Sequence, residues 1–211
     1  MAPDVVLDRA SAADSPVIRT VLARAYLTNP LMAWALPDAV TRLDACAAWL
    51  GPSVDRYLAA GRVHVARREG RVVGVAAWRL PGSAAPPASA AGLLGTLVGR
   101  ARADEILAAL ASAAPLAPTE PAAYLNYLAV DPDVQGQAIG RRLVADGIAA
   151  ADADGVGTYL GTTDPRNLPF YRRLGYVEAG AVPLGPDGPT LTVLHRGQDS
   201  ASSANHMTVS P

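Results

Sequence analysis

The chain has 211 residues, is 50% hydrophobic and 18% charged, and carries a formal net charge of −1. This fits one folded domain with a sizeable core, excludes a disordered polyelectrolyte, and leaves no global electrostatic case for nucleic acid or a membrane surface. All 18 basic residues are arginines, which excludes a Walker-type phosphate loop and Schiff-base catalysis, since both need a lysine.

Val5-Val6-Leu7 predicts a short first strand. Asp14 or Ser15 can cap a helix with Pro16 in its first turn, and Val17, Ile18, Val21, Leu22 and Ala25 then fall at helical spacing. Asn29-Pro30 stops that helix, and Met32, Trp34 and Leu36 read as an apolar connector. A second helix is expected over Thr41–Ala60, kinked or split at Gly51-Pro52. Arg62–Arg67 and Arg71–Leu80 alternate as a hairpin around Glu69-Gly70. Pro81–Gly92 reads as a flexible or partly extended loop, followed by a helix from Leu93 to Leu110 broken near Gly99. Pro115, Pro118 and Pro121 hold the chain extended before a dense apolar strand, Tyr124–Val130. A helix using Leu143, Val144, Ile148 and Ala151 follows, then a strand at Thr158–Thr162 and a short helix after Asn167. Two closing strands, Tyr176–Val182 and Thr190–Arg196, complete one α/β domain over residues 1–196 with a mixed sheet. Gly197–Pro211 is polar and aperiodic and reads as a disordered tail.

Cys46, the single cysteine, cannot form an internal disulfide, suits a reducing compartment, and sits where a buried inert thiol is expected. The N-terminus has no basic-then-apolar leader pattern and no apolar run approaches the roughly 18 residues of a membrane helix. A cytoplasmic protein is expected, monomeric or homodimeric, with no membrane or nucleic-acid partner. His64, His195 and His206 have no metal-ligand spacing, so no metal is expected.

Chemistry concentrates between Tyr124 and Tyr176. Gln135-Gly136-Gln137-Ala138-Ile139-Gly140-Arg141-Arg142 follows a strong strand and opens a helix. The first amides of such a helix lack intrahelical partners and its dipole favours negative charge. Gly136, Ala138 and Gly140 are small enough for a phosphate to approach, and Arg141 and Arg142 add charge. The loop can equally be an ordinary turn whose glycines relieve sterics. It is not a dinucleotide fingerprint, because Ala138 and Arg141 stand where glycines are required. Further on, Asn167 precedes a helix that carries Tyr171 to the carboxyl end of a neighbouring parallel strand, where open α/β sheets bind ligands. A phenol, with an ordinary pKa of about 10, is protonated at neutral pH yet can act as an acid toward a thiolate, whose thiol lies near 8.5.

The segment V-D-P-D-V-Q-G-Q-A-I-G-R-R-L resembles motif A of the GNAT superfamily of acyl-CoA-dependent N-acetyltransferases, and P-R-N-L-P-F-Y-R-R-L-G-Y resembles its motif B. E-P-A-A-Y-L, D-P-R-N-L-P-F-Y and the closing strands look like the puromycin N-acetyltransferase branch. The resemblance implies a single GNAT-like domain with splayed central parallel strands, and acetyl-CoA (coenzyme A) as cofactor. Leu128, Ala129 and Val130 would pair with the pantetheine arm beside a bulge, and the amides of Gly136, Gln137, Ala138, Ile139, Gly140 and Arg141 would hold the pyrophosphate. Gln135 takes the motif's Gln/Arg position, Asn167 would contact the cofactor, and Tyr171 would protonate the departing thiolate. Tyr26, Trp34 and Tyr127 fall where this fold builds its acceptor site, although aromatic residues there can equally be core. The implied reaction is direct transfer of an acetyl or other acyl group to the amine of a small molecule such as an antibiotic. Acylation of a protein lysine or N-terminus, or a catalytically degenerate acyl-CoA-binding regulator, remain alternatives. Two residues depart from the pattern: Ala138 replaces a usual Gly, and Gly161 stands where related sequences often carry Glu, which leaves the general base unassigned. His64 is weighed as a base but reads better as a strand histidine. Asp38, Asp104 and Glu105 could attract a cationic amine but read better as solvated carboxylates.

Overall fold

The computed structural model describes residues 5–60, 62–83 and 88–198. These form, in chain order, β1 (Val5–Arg9), α1 (Ser15–Tyr26), α2 (Pro30–Ala35), α3 (Arg42–Ala59), β2 (Val63–Arg68), β3 (Arg71–Arg79), α4 (Ala88–Val98), α5 (Arg100–Ala111), β4 (Ala122–Val130), α6 (Ile139–Ala153), β5 (Gly157–Thr162), α7 (Leu168–Arg172), β6 (Val177–Pro183) and β7 (Thr190–Arg196). The strands make one sheet in the order β1-β2-β3-β4-β5-β7-β6. Only β4 and β5 run parallel, joined by the α6 crossover; every other neighbouring pair is antiparallel. The mixed α/β sheet expected from the strand pattern is the one observed.

Four segments differ from their expected form. Met32–Leu36 belongs largely to helix α2, because Pro30 presets the first turn and the Asn29 side chain accepts the Leu31 N–H at 2.9 Å. Helix α3 runs unbroken through Pro52; Gly51 lies so close to α1 that a Cβ there would sit 2.9 Å from the Arg19 guanidinium. Helix α4 begins at Ala88, inside the span read as a loop, of which residues 84–87 lie outside the described residues. Ala114–Leu116 is a 3-10 turn rather than extended chain. The break between α4 and α5 falls at Gly99, whose φ of +83° suits glycine. The expected tail lies, from residue 199 on, outside the described residues. Among the described residues no helix is long and apolar enough to cross a membrane.

The sheet has a core on each face. Residues of α1 to α5, among them Ile18, Leu22, Leu50, Leu94 and Ile106, pack on Val75, Ala77 and Ala129. On the other face Ile139, Leu143, Val144 and Ile148 of α6 pack on Ala76, Trp78, Leu125 and Leu160. Each such fully buried aliphatic side chain contributes roughly 1.5–3 kcal/mol. The two faces of β4 do not alternate evenly. Ala77 pairs with Tyr127 but Trp78 pairs with Leu125, so Asn126 is an extra residue, a β-bulge. The bulge inverts the parity of the strand: Ala123 and Leu125 share a face with Leu128 and Val130, while Ala129 faces the other core.

Two backbone details of α6 carry consequences. Gly147 crosses β3 so closely that a methyl group there would fall inside the Trp78 indole. Ala138, just before the helix, is left-handed, with φ 58° and ψ 10°, a conformation that costs an alanine about 1–2 kcal/mol. Gly147→Ala should therefore destabilise by about 1–3 kcal/mol, despite alanine's better helix propensity, and lower Tm by about 3–10 °C in a thermal melt. Ala138→Gly should stabilise by about 0.5–1 kcal/mol, after the glycine's larger unfolded-state entropy is subtracted, measured by urea titration.

Candidate active site

Strands β4 and β5 pair only from Ala122↔Gly157 to Leu125↔Leu160. Beyond the Asn126 bulge they part, and the gap opens into a cavity of about 620 Å³, a size suited to a small molecule. Six of the seven tyrosines line it: Tyr26, Tyr57, Tyr124, Tyr127, Tyr159 and Tyr171. Two arginines, Arg56 and Arg79, line it as well, and among the described residues no lining residue is Asp, Glu or His.

At the gap itself the polar edge of β4 is held by side chains. The Tyr26 hydroxyl donates to the Leu128 carbonyl and accepts the Leu128 N–H, both at 3.1 Å. The Gln135 side-chain amide donates to the Val130 carbonyl at 3.0 Å. Ala129, between them, pairs with Val75 of β3. Burial pushes the Tyr26 phenol well up from its ordinary value, with the nearby Tyr171 adding to the effect.

Across the gap, Asp164 shapes the turn into α7. Its carboxylate accepts the Arg166 N–H at 3.0 Å and the Arg166 guanidinium at 2.7–3.1 Å. These bonds hold the carboxyl below its usual range, so it is ionised at neutral pH and fixes the 3-10 turn Pro165–Asn167. Asn167 and Tyr171 both face the cavity from this turn and helix. The Asn167 amide lies 3.5 Å from the Thr162 hydroxyl. The Thr163 hydroxyl donates to Asn29 at 3.2 Å, which ties the end of β5 to the N-terminus of α2. Tyr171 is 8% exposed, edge-on to Phe170 and Tyr176, and burial raises its phenol well above the ordinary value.

Beside the gap, the N-terminus of α6 is open. Its first i to i−4 bond is Arg142 N–H to the Ala138 carbonyl at 3.1 Å, so the amides of Ile139, Gly140 and Arg141 precede the ladder. Gly136 has φ 77° and nothing within 4 Å of where its Cβ would be; Gln135, Gly136, Gln137 and Ala138 are exposed. Together these groups can hold an anion. Ile139 contributes only its amide, since its side chain is buried against Gly74. Arg24 of α1 braces this end of β4 by pairing with Asp131 at 3.0 Å and Asp133 at 2.9 Å.

The remaining expectations divide. Tyr26 and Tyr127 line the cavity, but Trp34 does not: Arg102 stacks on its ring at 4.3 Å and donates to its carbonyl, packing α2 on α5. Asp38, Asp104 and Glu105 also lie outside the lining. His64 faces away and pairs with Asp146 of α6. Cys46 is fully buried in α3, its thiol pushed up to about 12 by burial, as an inert core thiol should be. At Gly161 a Cβ would meet Leu191 at 3.0 Å and the Tyr124 hydroxyl at 3.6 Å, so a glutamate would project into space the two now fill. Arg56, Arg79, Tyr57 and Tyr159 were not singled out from the sequence. Two signals could have found the cations. Arg79 continues the Val75-Ala77 face of its strand, and Arg56 lies near Ser53 and Tyr57 at helical spacing on α3.

Residues 29–176 match the family described as the acetyltransferase (GNAT) family. Similar solved structures include one described as histone acetyltransferase HPA2 and related acetyltransferase from Corynebacterium glutamicum, at 28% identity and a TM-score of 0.68, covering 93% of this chain and 97% of that one. A Drosophila melanogaster polyamine N-acetyltransferase (18% identity, TM-score 0.62, 92% and 100% covered) and arylalkylamine N-acetyltransferase 2 from Aedes aegypti (11%, 0.67, 93% and 100%) share the fold. With the splayed β4–β5 pair and the open α6 N-terminus in place, the match over most of the chain makes it a member of the GNAT acetyltransferase family.

Proposed function

We propose that this protein moves an acetyl group from acetyl-CoA to the amine of a small molecule, with an aminoacyl-type amine as the first expected acceptor. Amine-bearing antibiotics are the acceptor class suggested by its likeness to the puromycin N-acetyltransferase branch. The observation that carries the reading is the meeting of three features at one gap: the open amides before α6, the free edge of β4, and the buried phenol of Tyr171.

When bound, acetyl-CoA supplies an activated thioester and a pyrophosphate that an anion cradle can hold. The amides from Gly136 to Arg141 bind that pyrophosphate, and the exposed turn at Gly136 leaves room for it. The β4 edge from Leu128 to Val130 orients the pantetheine arm, with Tyr26 and Gln135 giving up their bonds to it. Asn167 lies on the opposite wall and positions the same arm. Tyr171 keeps its proton on Oη at neutral pH because burial disfavours the phenolate. Its proton is therefore available to the sulfur as the C–S bond breaks, where the same dry surroundings disfavour a free thiolate.

No carboxylate or imidazole lines the cavity to take the proton of an incoming ammonium. The acceptor must then react from its neutral form, which favours α-amino groups with pKa near 7.7–8.0 over alkylamines near 10.4. The cation-lined wall also opposes a polycationic acceptor.

A melt with acetyl-CoA at about 100 Kd should raise Tm by roughly 5–10 °C; no shift with acetyl-CoA or longer acyl-CoAs defeats the cofactor assignment. Tyr171→Phe should lower kcat by about 10²–10⁴ while leaving the acetyl-CoA shift in place; undiminished thiol release would remove the general-acid role. For any acceptor, kcat/KM should rise with pH and level off at the amine's own pKa between pH 6 and 10. An additional ionisation near pH 5–6 would reveal an enzymic base.

A further inference from the structure

Several arginines that brace this fold end on carboxylates: Arg24 on Asp131, Arg67 on Asp14, Arg166 on Asp164, Arg196 on Asp152. Arg79 does not. It ends β3 on the cavity face, where its guanidinium lies 4.9 Å over the Tyr124 ring and donates one N–H to the Tyr159 hydroxyl at 2.9 Å. Tyr124 and Tyr159 stack on each other at 4.7 Å. A guanidinium carries five donors, and Arg79 lines a cavity in which no described lining residue is a carboxylate. Arg56 lines the same cavity from α3, 4.7 Å over the Tyr57 ring, and the Tyr57 hydroxyl feels both guanidiniums.

An acceptor that brought only an ammonium into this chamber would meet like charge on one wall and no counter-charge on any other. An acceptor with a carboxylate brings the missing partner, and a guanidinium fork is the group that fits a carboxylate bidentately. Resting on the acetyl-transfer reading above, we infer that the acceptor is an amino-carboxylic acid, its carboxylate held by Arg79 and its amine directed toward Tyr171.

The chemistry balances without a further reactant. The neutral amine nitrogen bonds the acyl carbon and the C–S bond breaks. The surplus amine proton leaves to solvent while Tyr171 Oη supplies the proton that sulfur takes up, and the phenol is reprotonated from solvent. The aromatic wall of Tyr57, Tyr124 and Tyr127 suits an acceptor with an apolar or aromatic side chain.

Pairs that differ in the carboxylate test the inference, phenylalanine against phenethylamine and leucine against isopentylamine, each with acetyl-CoA and thiol release as readout and with kcat/KM referred to the concentration of neutral amine so that the amines' different pKa values drop out. The wild-type protein should show kcat/KM at least about 10-fold higher for the acid of each pair. Arg79→Gln should reduce that preference to about 2-fold or less, through KM for the acid, while the acetyl-CoA melting shift persists. Equal or better use of the decarboxylated amines overturns the inference, as does an equal loss for both members in Arg79→Gln, while acetyl transfer stands. Binding of acetyl-CoA with turnover of no pair member also overturns it. Absence of any acetyl-CoA shift defeats the acetyl-transfer reading and this inference together. The wild-type pairs decide even where Arg79→Gln does not fold, and Arg79→Lys, which keeps the charge but not the fork, should then retain part of the preference.

Discussion

One extra residue in a central strand governs most of what this molecule can do. Asn126 bulges out of the β3–β4 ladder, and immediately after it β4 stops pairing with β5. A parallel pair in the middle of a sheet is ordinarily sealed on both edges. Here the register stops after four paired residues, and N–H and C=O groups are left facing a gap instead of a neighbouring strand. Buried backbone polar groups of this kind need partners, and the chain supplies them in the Tyr26 hydroxyl and the Gln135 amide. The cavity and the exposed stretch of β4 follow from that interruption, while Asp164 and Arg166 build the turn that faces them.

The second constraint is electrostatic. Around the gap the carboxylates are already committed: Asp131 and Asp133 to Arg24, and Asp164 to Arg166. They shape loops instead of meeting ligand. The cavity is left with phenols, amides, hydroxyls and two guanidiniums. Such a chamber can donate hydrogen bonds and protons generously but has little with which to accept a proton. The missing carboxylate at Gly161 is therefore not an isolated vacancy. Leu191 and the Tyr124 hydroxyl occupy the space that a longer side chain would need.

How much of this is legible in the residues depends on range. The seven strands, the α6 crossover, the break at Gly99 and the inert Cys46 follow from local patterns, because apolar periodicity and glycine φ preferences act over a few residues. Helix α2 escapes that logic, since a helix of six residues shows less than two turns of periodicity and only its Asn29-Pro30 start betrays it. Motif spacing singles out the loop before α6 and Tyr171, and the structure places the first beside the gap and the second on its wall. The cationic wall is only half legible: periodicity can put Arg79 and Arg56 on the inward faces of β3 and α3, but the two meet at one cavity only when the sheet is assembled. Trp34 shows the converse: an aromatic residue at a plausible position is taken up by Arg102 and packs two helices together. The bulge resists sequence reading for a simpler reason. Asn126 in an apolar strand can be a solvent-facing residue or an extra one, and only the register tells them apart.

The uniform use of arginine has a meaning beyond geometry. Guanidinium groups make the braces at Arg24, Arg67, Arg166 and Arg196, and among the 18 basic residues none is a lysine. A protein that handles an activated thioester is exposed to its own reagent whenever that thioester is held nearby. A lysine brace could lose its charge to a stray acyl group, whereas a guanidinium stays protonated throughout the range in which proteins operate and is a poor nucleophile in that state. The fold thus rests on cations that its own chemistry leaves untouched, and no side chain offers an amine to compete with the acceptor.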